Sequence, residues 1–114
     1  MNNYVSVSKK ELGRLNEIFH KDQISAYLFW LFMDYSARET GVIFSVKRIA
    51  KAMGLTYVTV YKRIEYLESK KILTVFRTDM CNVYYLNKFD DKLNSWIETE
   101  YDVKNLNVRL IYDV

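Results

Sequence analysis

The residues most able to do chemistry in this chain are cationic and hydroxyl side chains concentrated between Ser45 and Arg77. This stretch has eight lysines and arginines against two glutamates, whereas the whole chain of 114 residues has a net charge of only +3. Lysine and arginine neutralise phosphates, and threonine and tyrosine hydroxyls form hydrogen bonds with base edges and phosphates. The stretch therefore predicts non-covalent binding of a polyanion.

Catalytic and metal chemistry find little support among the residue types. His20 is the only histidine and Cys81 the only cysteine, and the two are far apart in the sequence. A catalytic triad would need that single histidine, and a zinc site would need further cysteines. Asp90 and Asp91 are adjacent, which suits helix capping better than a metal cage. We therefore expect a protein that is not an enzyme and that uses no metal and no cofactor.

Two helices joined by a sharp turn are predicted over residues 45–69, and they would carry the cationic side chains. Ser45 is a candidate N-cap for the first helix, and Gly54 stands where that helix must end with a positive φ. Thr56 can cap the second helix. The apolar side of the second helix has the spacing i, i+4 and i+7: Val60, Ile64 and Leu67.

The opposite face of the second helix is polar and cationic. Tyr57, Thr59 and Lys62 lie on it, together with Tyr61. A short amphipathic helix with such an outer face suits the major groove of DNA. Two plainer interpretations stay open, because the tyrosines could be buried against a neighbouring element and the lysines could form an ordinary solvated face.

The N-terminal part of the chain predicts two further helices. The first, at about residues 8–20, begins with the capping-box pattern of Ser8 and Glu11. The second, at residues 22–38, is apolar nearly all round, and a chain of this size can rarely cover such a helix completely. We therefore expect a homodimer, with a fully intramolecular core helix as the alternative. The predicted dimer contacts are Tyr27, Trp30 and Met33.

Strands and one more helix are predicted around this centre. Residues 42–44 are a short strand, and residues 72–78 and 82–86 form a hairpin because they are rich in β-branched and aromatic residues. Residues 90–101 predict a last helix whose first aspartates complement the helix dipole. The alternating tail, residues 106–112, predicts a final strand.

Composition points to a single, soluble domain. The longest apolar run is too short to span a bilayer, and the N-terminus has no basic-then-apolar signal pattern. A lone cysteine fits a reducing compartment. We expect a cytoplasmic protein without membrane contact.

The order of helices and strands, together with the run IAKAMGLTYVTVYKRIEYLESKKIL, resembles the winged helix-turn-helix superfamily from Phe44 to Leu86. The expected fold is therefore α+β and mainly helical, a single winged-helix domain over residues 1–114. Its helix-turn-helix would be residues 45–69 and its two-stranded wing residues 72–86, followed by a C-terminal helix. The wing turn has no lysine or arginine, so insertion of a basic wing into the minor groove is not implied.

The resemblance implies contacts with double-stranded DNA. Residues of the second helix would face the major groove, where Lys62 could donate to guanine. Others would hold the phosphate backbone, and Arg77 could reach a phosphate from the base of the wing. The complete set of predicted DNA contacts is Ser45, Lys47, Lys51, Thr56, Tyr57, Thr59, Tyr61, Lys62, Arg63 and Arg77.

Several functions fit a chain of this kind. The first is a dimeric, sequence-specific DNA-binding protein that acts as a transcriptional repressor, as a centromere-binding partition adaptor of a plasmid or phage, or as both. A protein partner from a partition or replication machinery is then possible. The alternatives are a winged-helix protein-interaction module and a replication-initiation factor.

Overall fold

The computed structural model describes residues 7–35, 38, 41–78, 81–100 and 108–110. Within these residues the chain forms four helices and six strands, and helical residues outnumber strand residues, which confirms the mainly helical α+β class. The helices are α1 (Lys9–Phe19), α2 (Gln23–Tyr35), α3 (Val46–Met53) and α4 (Tyr57–Ser69). The strands are β1 (Gly41–Ile43), β2 (Leu73–Arg77), β3 (Asn82–Leu86), β4 (Lys88–Asp90), β5 (Ser95–Ile97) and β6 (Val108–Leu110).

The main sheet has the strand order β2-β3-β1-β6. The predicted hairpin is confirmed, because β2 and β3 pair in antiparallel fashion from Leu73 opposite Leu86 to Arg77 opposite Asn82. The central strand β1 lies antiparallel to β3 and parallel to β6. Residues 79 and 80 of the predicted wing turn lie outside the described residues. Of the predicted C-terminal strand at residues 106–112, only residues 108–110 are described, and they form β6.

The core lies between α2, α4 and the main sheet. Leu28, Phe29 and Phe32 of α2 are fully buried in it. The ring of Phe44, just after β1, stacks on Tyr84 of β3 with centroids 4.5 Å apart. Among the described residues, no helix has both the length and the apolar character needed to cross a bilayer.

The predicted C-terminal helix at residues 90–101 is wrong, because a second hairpin, β4–β5, occupies residues 88–97. Asp90 does not begin a helix. Its Oδ1 accepts hydrogen bonds from the backbone N–H groups of Lys92 and Leu93 at 2.8 and 3.1 Å, and so closes a turn. Asn94 completes the turn with a positive φ of 53°, a conformation that asparagine tolerates better than most residues.

Side-chain packing also favours the hairpin over the helix. Phe89 and Trp96 lie opposite each other on β4 and β5, with edge-to-face rings 5.1 Å apart. Trp96 is buried, whereas the neighbouring Ile97 and the turn residue Leu93 are exposed. The alternation of Trp96 and Ile97 is that of a strand with one buried face.

Glu11 connects α1 to this second hairpin. Of the predicted capping box, only the contribution of Ser8 is confirmed: its Oγ accepts a hydrogen bond from the Glu11 backbone N–H at 3.1 Å. The Glu11 carboxylate turns inward, where it accepts from the Trp96 Nε1 at 2.8 Å. The Arg38 Nη2 lies 2.9 and 2.8 Å from the two carboxylate oxygens, and its Nη1 donates to the backbone oxygen of Asn87. This buried ion pair therefore fixes α1 against β5 and the segment after α2.

Candidate functional site

The α3–α4 corner (residues 45–69) is built by local caps, as the sequence predicts. The Ser45 Oγ accepts from the backbone N–H of Arg48 at 3.3 Å, which caps α3. Gly54 ends α3 in the left-handed conformation, with φ 69° and ψ 30°. The Thr56 Oγ1 accepts from the backbone N–H of Thr59 at 3.2 Å, which caps α4. Each cap satisfies a backbone group that the helix itself leaves unpaired.

The inner side of the corner is fixed to the rest of the molecule. Val60, Ile64 and Leu67 are buried in the core, as predicted. Arg63 also turns towards the protein, because its Nη1 donates to the Asp22 Oδ2 at 3.2 Å, next to the start of α2. The predicted role of Arg63 as a contact to the DNA backbone therefore competes with an intramolecular ion pair.

The outer side of the corner is cationic. Lys47, Lys51 and Lys62 are exposed, as the prediction requires. Arg48 is exposed as well, and the sequence prediction of the site missed it. Its signal was present, because α3 contains no acidic residue and its apolar positions leave Lys47, Arg48 and Lys51 on the outside. Among the described residues, none of these four cations takes part in an ion pair.

Two tyrosines one helical turn apart form a stacked pair near the start of α4, the tyrosine pair Tyr57 and Tyr61. Their ring centroids are 5.8 Å apart and their planes differ by 19°. Tyr57 is 45% exposed and Tyr61 is half-buried, so burial of both against a neighbouring element is excluded. Val58, also missed from the sequence, is 56% exposed beside them.

The two threonines of the predicted site contact each other. The hydroxyl oxygens of Thr56 and Thr59 lie 2.8 Å apart, so one of them donates to the other. Thr56 is exposed and Thr59 is half-buried. These hydroxyls therefore stabilise the first turn of α4, and an outer ligand would have to share their lone pairs.

Arg77 at the end of β2 is held by Glu68 of α4. Its Nη1 and Nη2 donate to the two carboxylate oxygens of Glu68, both at 2.9 Å. These hydrogen bonds raise the pKa of Arg77 above its ordinary value. Burial opposes the shift in part, and the charge of Glu68 raises the pKa further. The guanidinium of Arg77 is therefore already paired with a carboxylate, and a phosphate would have to compete with Glu68 for it.

The predicted dimer residues separate into two groups. Tyr27 and Trp30 are 47% and 50% exposed on α2. Met33 is buried in the core of the same chain, so its assignment to the interface is wrong. The period of an almost uniformly apolar helix does not show which side faces inward.

Beside Tyr27, a groove of about 470 Å³ runs between α2 and the corner. Its lining comprises Gln23, Ile24, Tyr27, Ala52, Met53 and Leu55.

No metal-binding cluster of three or more His, Cys, Asp or Glu side chains occurs in the described part of the chain. Cys81 is half-buried, and its backbone N–H donates to the Thr78 hydroxyl at 3.1 Å, within the turn that ends β2. The chemistry available at the α3–α4 corner is therefore that of cations, hydroxyls and aromatic rings.

Comparisons of the chain with models of protein families, with curated proteins and with solved structures found no match. The functional proposal is accordingly argued from the geometry of the α3–α4 corner.

Proposed function

We propose that this protein is a winged-helix protein that binds specific sequences in double-stranded DNA as a homodimer. The element order supports this: α3 and α4 meet at a glycine turn, and the β2–β3 hairpin follows α4 directly. The strand β1, which precedes α3, pairs with β3 of the hairpin. The hairpin therefore belongs to the same sheet as the strand that leads into the helical corner. In this proposal α4 is the recognition helix and β2–β3 is the wing.

The observation that carries the proposal is the two-sided character of the α3–α4 corner. Its apolar side is anchored in the core, while its outer side exposes four cations without ion-pair partners among the described residues. Glu65 of α4 is exposed as well, so cations outnumber carboxylates among the exposed charges of the corner. An excess of exposed cations gains nothing for folding, and it attracts a polyanion. An α-helix fits the major groove of B-DNA, which is about 12 Å wide.

The roles of single residues follow from their positions in this arrangement. Lys62, exposed on α4, would donate to the acceptors of guanine. Tyr57 and Val58 would add ring and methyl surface, and apolar groups contact the thymine methyl. Lys47, Arg48 and Lys51 of α3 would neutralise phosphates and set the orientation on the duplex.

The biological role within this proposal is repression of a promoter, partition of a plasmid or phage, or both. The two roles are compatible, because an adaptor bound to repeated sites near its own promoter also represses that promoter. The arrangement of binding sites distinguishes them. A single short palindrome would support a repressor, and a tandem array would support a partition adaptor that also contacts a partner protein.

The proposal is tested by selection of bound sequences from a random duplex library, followed by footprinting on the DNA that surrounds the gene of this protein. We expect enrichment of a defined sequence and protection of matching sites. The Lys62→Ala variant should enrich that sequence less well. Recovery of an unenriched library by the wild-type protein would contradict sequence-specific binding.

The dimer part of the proposal depends on the two exposed aromatic residues of α2. A second copy would cover Tyr27 and Trp30, and aromatic residues are enriched in such interfaces. We expect Trp30→Glu to give monomers in analytical ultracentrifugation, because it would bury a charge at the interface. The control Leu93→Glu changes an exposed residue of the β4–β5 hairpin and should leave the mass unchanged. A dimer of Trp30→Glu, or a wild-type monomer, would contradict this part.

The same aromatic surface favours one other function, a protein-interaction module. Tyr27 and the adjoining groove would then hold an apolar segment of a different protein. Negligible affinity of the wild-type protein for any duplex at low salt, together with a monomeric state, would favour this function over DNA binding.

A further inference from the structure

A pocket of about 420 Å³, the hairpin pocket, lies outside the α3–α4 corner. Its walls come from the segment after α2, from β3, and from the β4–β5 hairpin with the residues that follow it. The volume is within the range of small-molecule sites, about 300–1,000 Å³. The described residues that line it are Arg38, Tyr85, Lys88, Ile97, Glu98 and Thr99.

One hydrogen-bond donor at this pocket has no acceptor. The side chain of Arg38 is only 9% exposed, and its Nη1 and Nη2 are used by the backbone oxygen of Asn87 and by the Glu11 carboxylate. Its Nε is buried as well, and it makes no hydrogen bond within the described part of the chain. An arginine N–H can only donate, and a buried donor without an acceptor costs free energy. The geometry therefore calls for an acceptor supplied by a molecule in the pocket that Arg38 lines.

The backbone of Arg38 is strained at the same place. Its φ of 67° lies in the left-handed region, which favours glycine over residues with a side chain. Such a conformation persists where the surrounding contacts over-determine it, and it is found more often at ligand sites than elsewhere. The hydrogen bonds of Nη1 and Nη2 supply those contacts here.

The buried residue Asn87 fixes two walls of the hairpin pocket. Its Oδ1 accepts from the backbone N–H of Thr99 at 3.0 Å and from the Thr99 hydroxyl at 2.8 Å, while its backbone oxygen holds Arg38 at 3.1 Å. Tyr85 is buried in a third wall, where it takes the space beside Gly41: a Cβ on Gly41 would lie 2.6 Å from the Tyr85 Cζ. The pocket is therefore built by the fold itself, as small-molecule sites usually are.

The charges around the pocket decide between an anionic and a neutral ligand. Arg38 is already neutralised by Glu11. The lining adds one further cation, Lys88, and one carboxylate, Glu98. An anion would therefore meet repulsion as well as attraction, whereas a neutral carbonyl oxygen can accept from the Nε–H without adding charge. Ile97, 47% exposed, offers apolar surface for the rest of the ligand.

We propose that the hairpin pocket binds a small neutral molecule of the amide class. Its carbonyl oxygen accepts from the Arg38 Nε–H, and its apolar part packs on Ile97. This site does not depend on the proposed binding of DNA, because its described lining includes no residue of α3 or α4.

Benzamide, benzoate and toluene are matched probes, since they share one ring and differ in the acceptor. NMR titrations of the full chain follow the side-chain Nε–H of Arg38 and the backbone N–H groups of Ile97 and Thr99. We expect benzamide to shift these signals along one saturable curve. Toluene has no acceptor and benzoate adds a charge, so each should bind about tenfold more weakly or worse. Equal affinity for benzoate or toluene, or an Arg38 signal that none of the three probes shifts, would overturn the proposal.

Ile97→Trp obstructs the pocket and leaves the ion pair of Arg38 with Glu11 in place. Ile97 is exposed, so the variant should fold, and we expect it to lose the shift of the Arg38 signal by benzamide. The matched control Leu93→Trp adds the same side chain to an exposed residue of the same hairpin outside the pocket lining, and it should respond like the wild type. A wild-type response of Ile97→Trp would place benzamide elsewhere and overturn the proposal.

Discussion

Two arginine–glutamate pairs among the described residues have the same chemistry in very different surroundings. Glu11 and Arg38 join α1 to the segment after α2, and their side chains are 2% and 9% exposed. Glu68 and Arg77 join α4 to β2, with side chains 32% and 47% exposed. A buried pair that loses one partner leaves a charge without solvent, whereas an exposed pair that does so is rescued by water.

The neighbours of the two pairs differ in the same way. Around Glu11 the polar groups point inward, and Trp96 donates to the carboxylate while Arg38 donates to Asn87. The buried Nε of Arg38 is left without a hydrogen-bond partner among the described residues. Glu68 and Arg77 are partly open to solvent instead, near the C-terminal end of α4. Burial therefore separates the two pairs: the Glu11 pair stabilises the fold from inside, whereas the Glu68 pair lies at the surface.

The largest expected effect comes from breaking the buried pair. Glu11→Ala should lower the free energy of unfolding by about 3–5 kcal/mol, because it leaves the buried Arg38 charge without its partner. Urea unfolding followed by circular dichroism measures this. The control Glu17→Ala removes an exposed carboxylate from the same helix and should stay within about 0.5 kcal/mol of the wild type. Equal losses of unfolding free energy in the two variants would contradict a stabilising role of the buried ion pair.

In the α3–α4 corner, Lys62→Ala should weaken DNA binding and leave folding intact. We expect specific binding to weaken by about 1–3 kcal/mol and the preference at one base pair to relax, because a donor to guanine is lost. Fluorescence anisotropy with single-base variants of the selected duplex measures both effects. Lys92→Ala, an exposed lysine in the β4–β5 turn, is the matched control and should bind like the wild type. An equal loss on every sequence would assign Lys62 to a phosphate.

The smallest expected effect concerns Tyr84, a buried residue of β3. Burial raises its pKa above the ordinary value of 10.0, and the Asn82 hydrogen bond opposes the shift. The unfolded chain therefore loses the phenolic proton at a lower pH than the folded chain. This contribution to stability is complete below about pH 10 and is lost as the pH rises through the folded-state pKa.

Tyr84→Phe removes the titrating group and keeps the ring that stacks on Phe44. Between about pH 9 and about pH 11, its free energy of unfolding should fall less than that of the wild type. Urea unfolding at a series of pH values measures the difference. Parallel curves for the two proteins would show that Tyr84 titrates alike in the folded and unfolded chains.

The α3–α4 corner could be predicted from the sequence because its determinants are local. Ser45, Gly54 and Thr56 act on backbone groups within four residues, and the apolar spacing of α4 shows its buried side. The β2–β3 hairpin was equally local, with two strand-forming runs separated by a short turn. Sequence pattern is most informative when the partner groups are close in the chain.

The misassigned regions depend on distant partners. Trp96 is held by Glu11, 85 residues away, and an aspartate such as Asp90 can cap a turn as well as a helix. The free or paired state of Arg63 and Arg77 depends on acids brought close only by folding. Met33 was assigned to the dimer interface because the sequence of an apolar helix does not show which side the core covers.

Ionic-strength dependence of binding tests the central claim most directly, namely that the outward cations of the α3–α4 corner neutralise phosphates. Affinity for the selected duplex is measured at several salt concentrations. The logarithm of the association constant should fall linearly with the logarithm of the salt concentration, by about 0.9 for each phosphate neutralised. The slope should become shallower by about that amount in Lys47→Ala and in Lys51→Ala. An affinity that is indifferent to salt would contradict the claim.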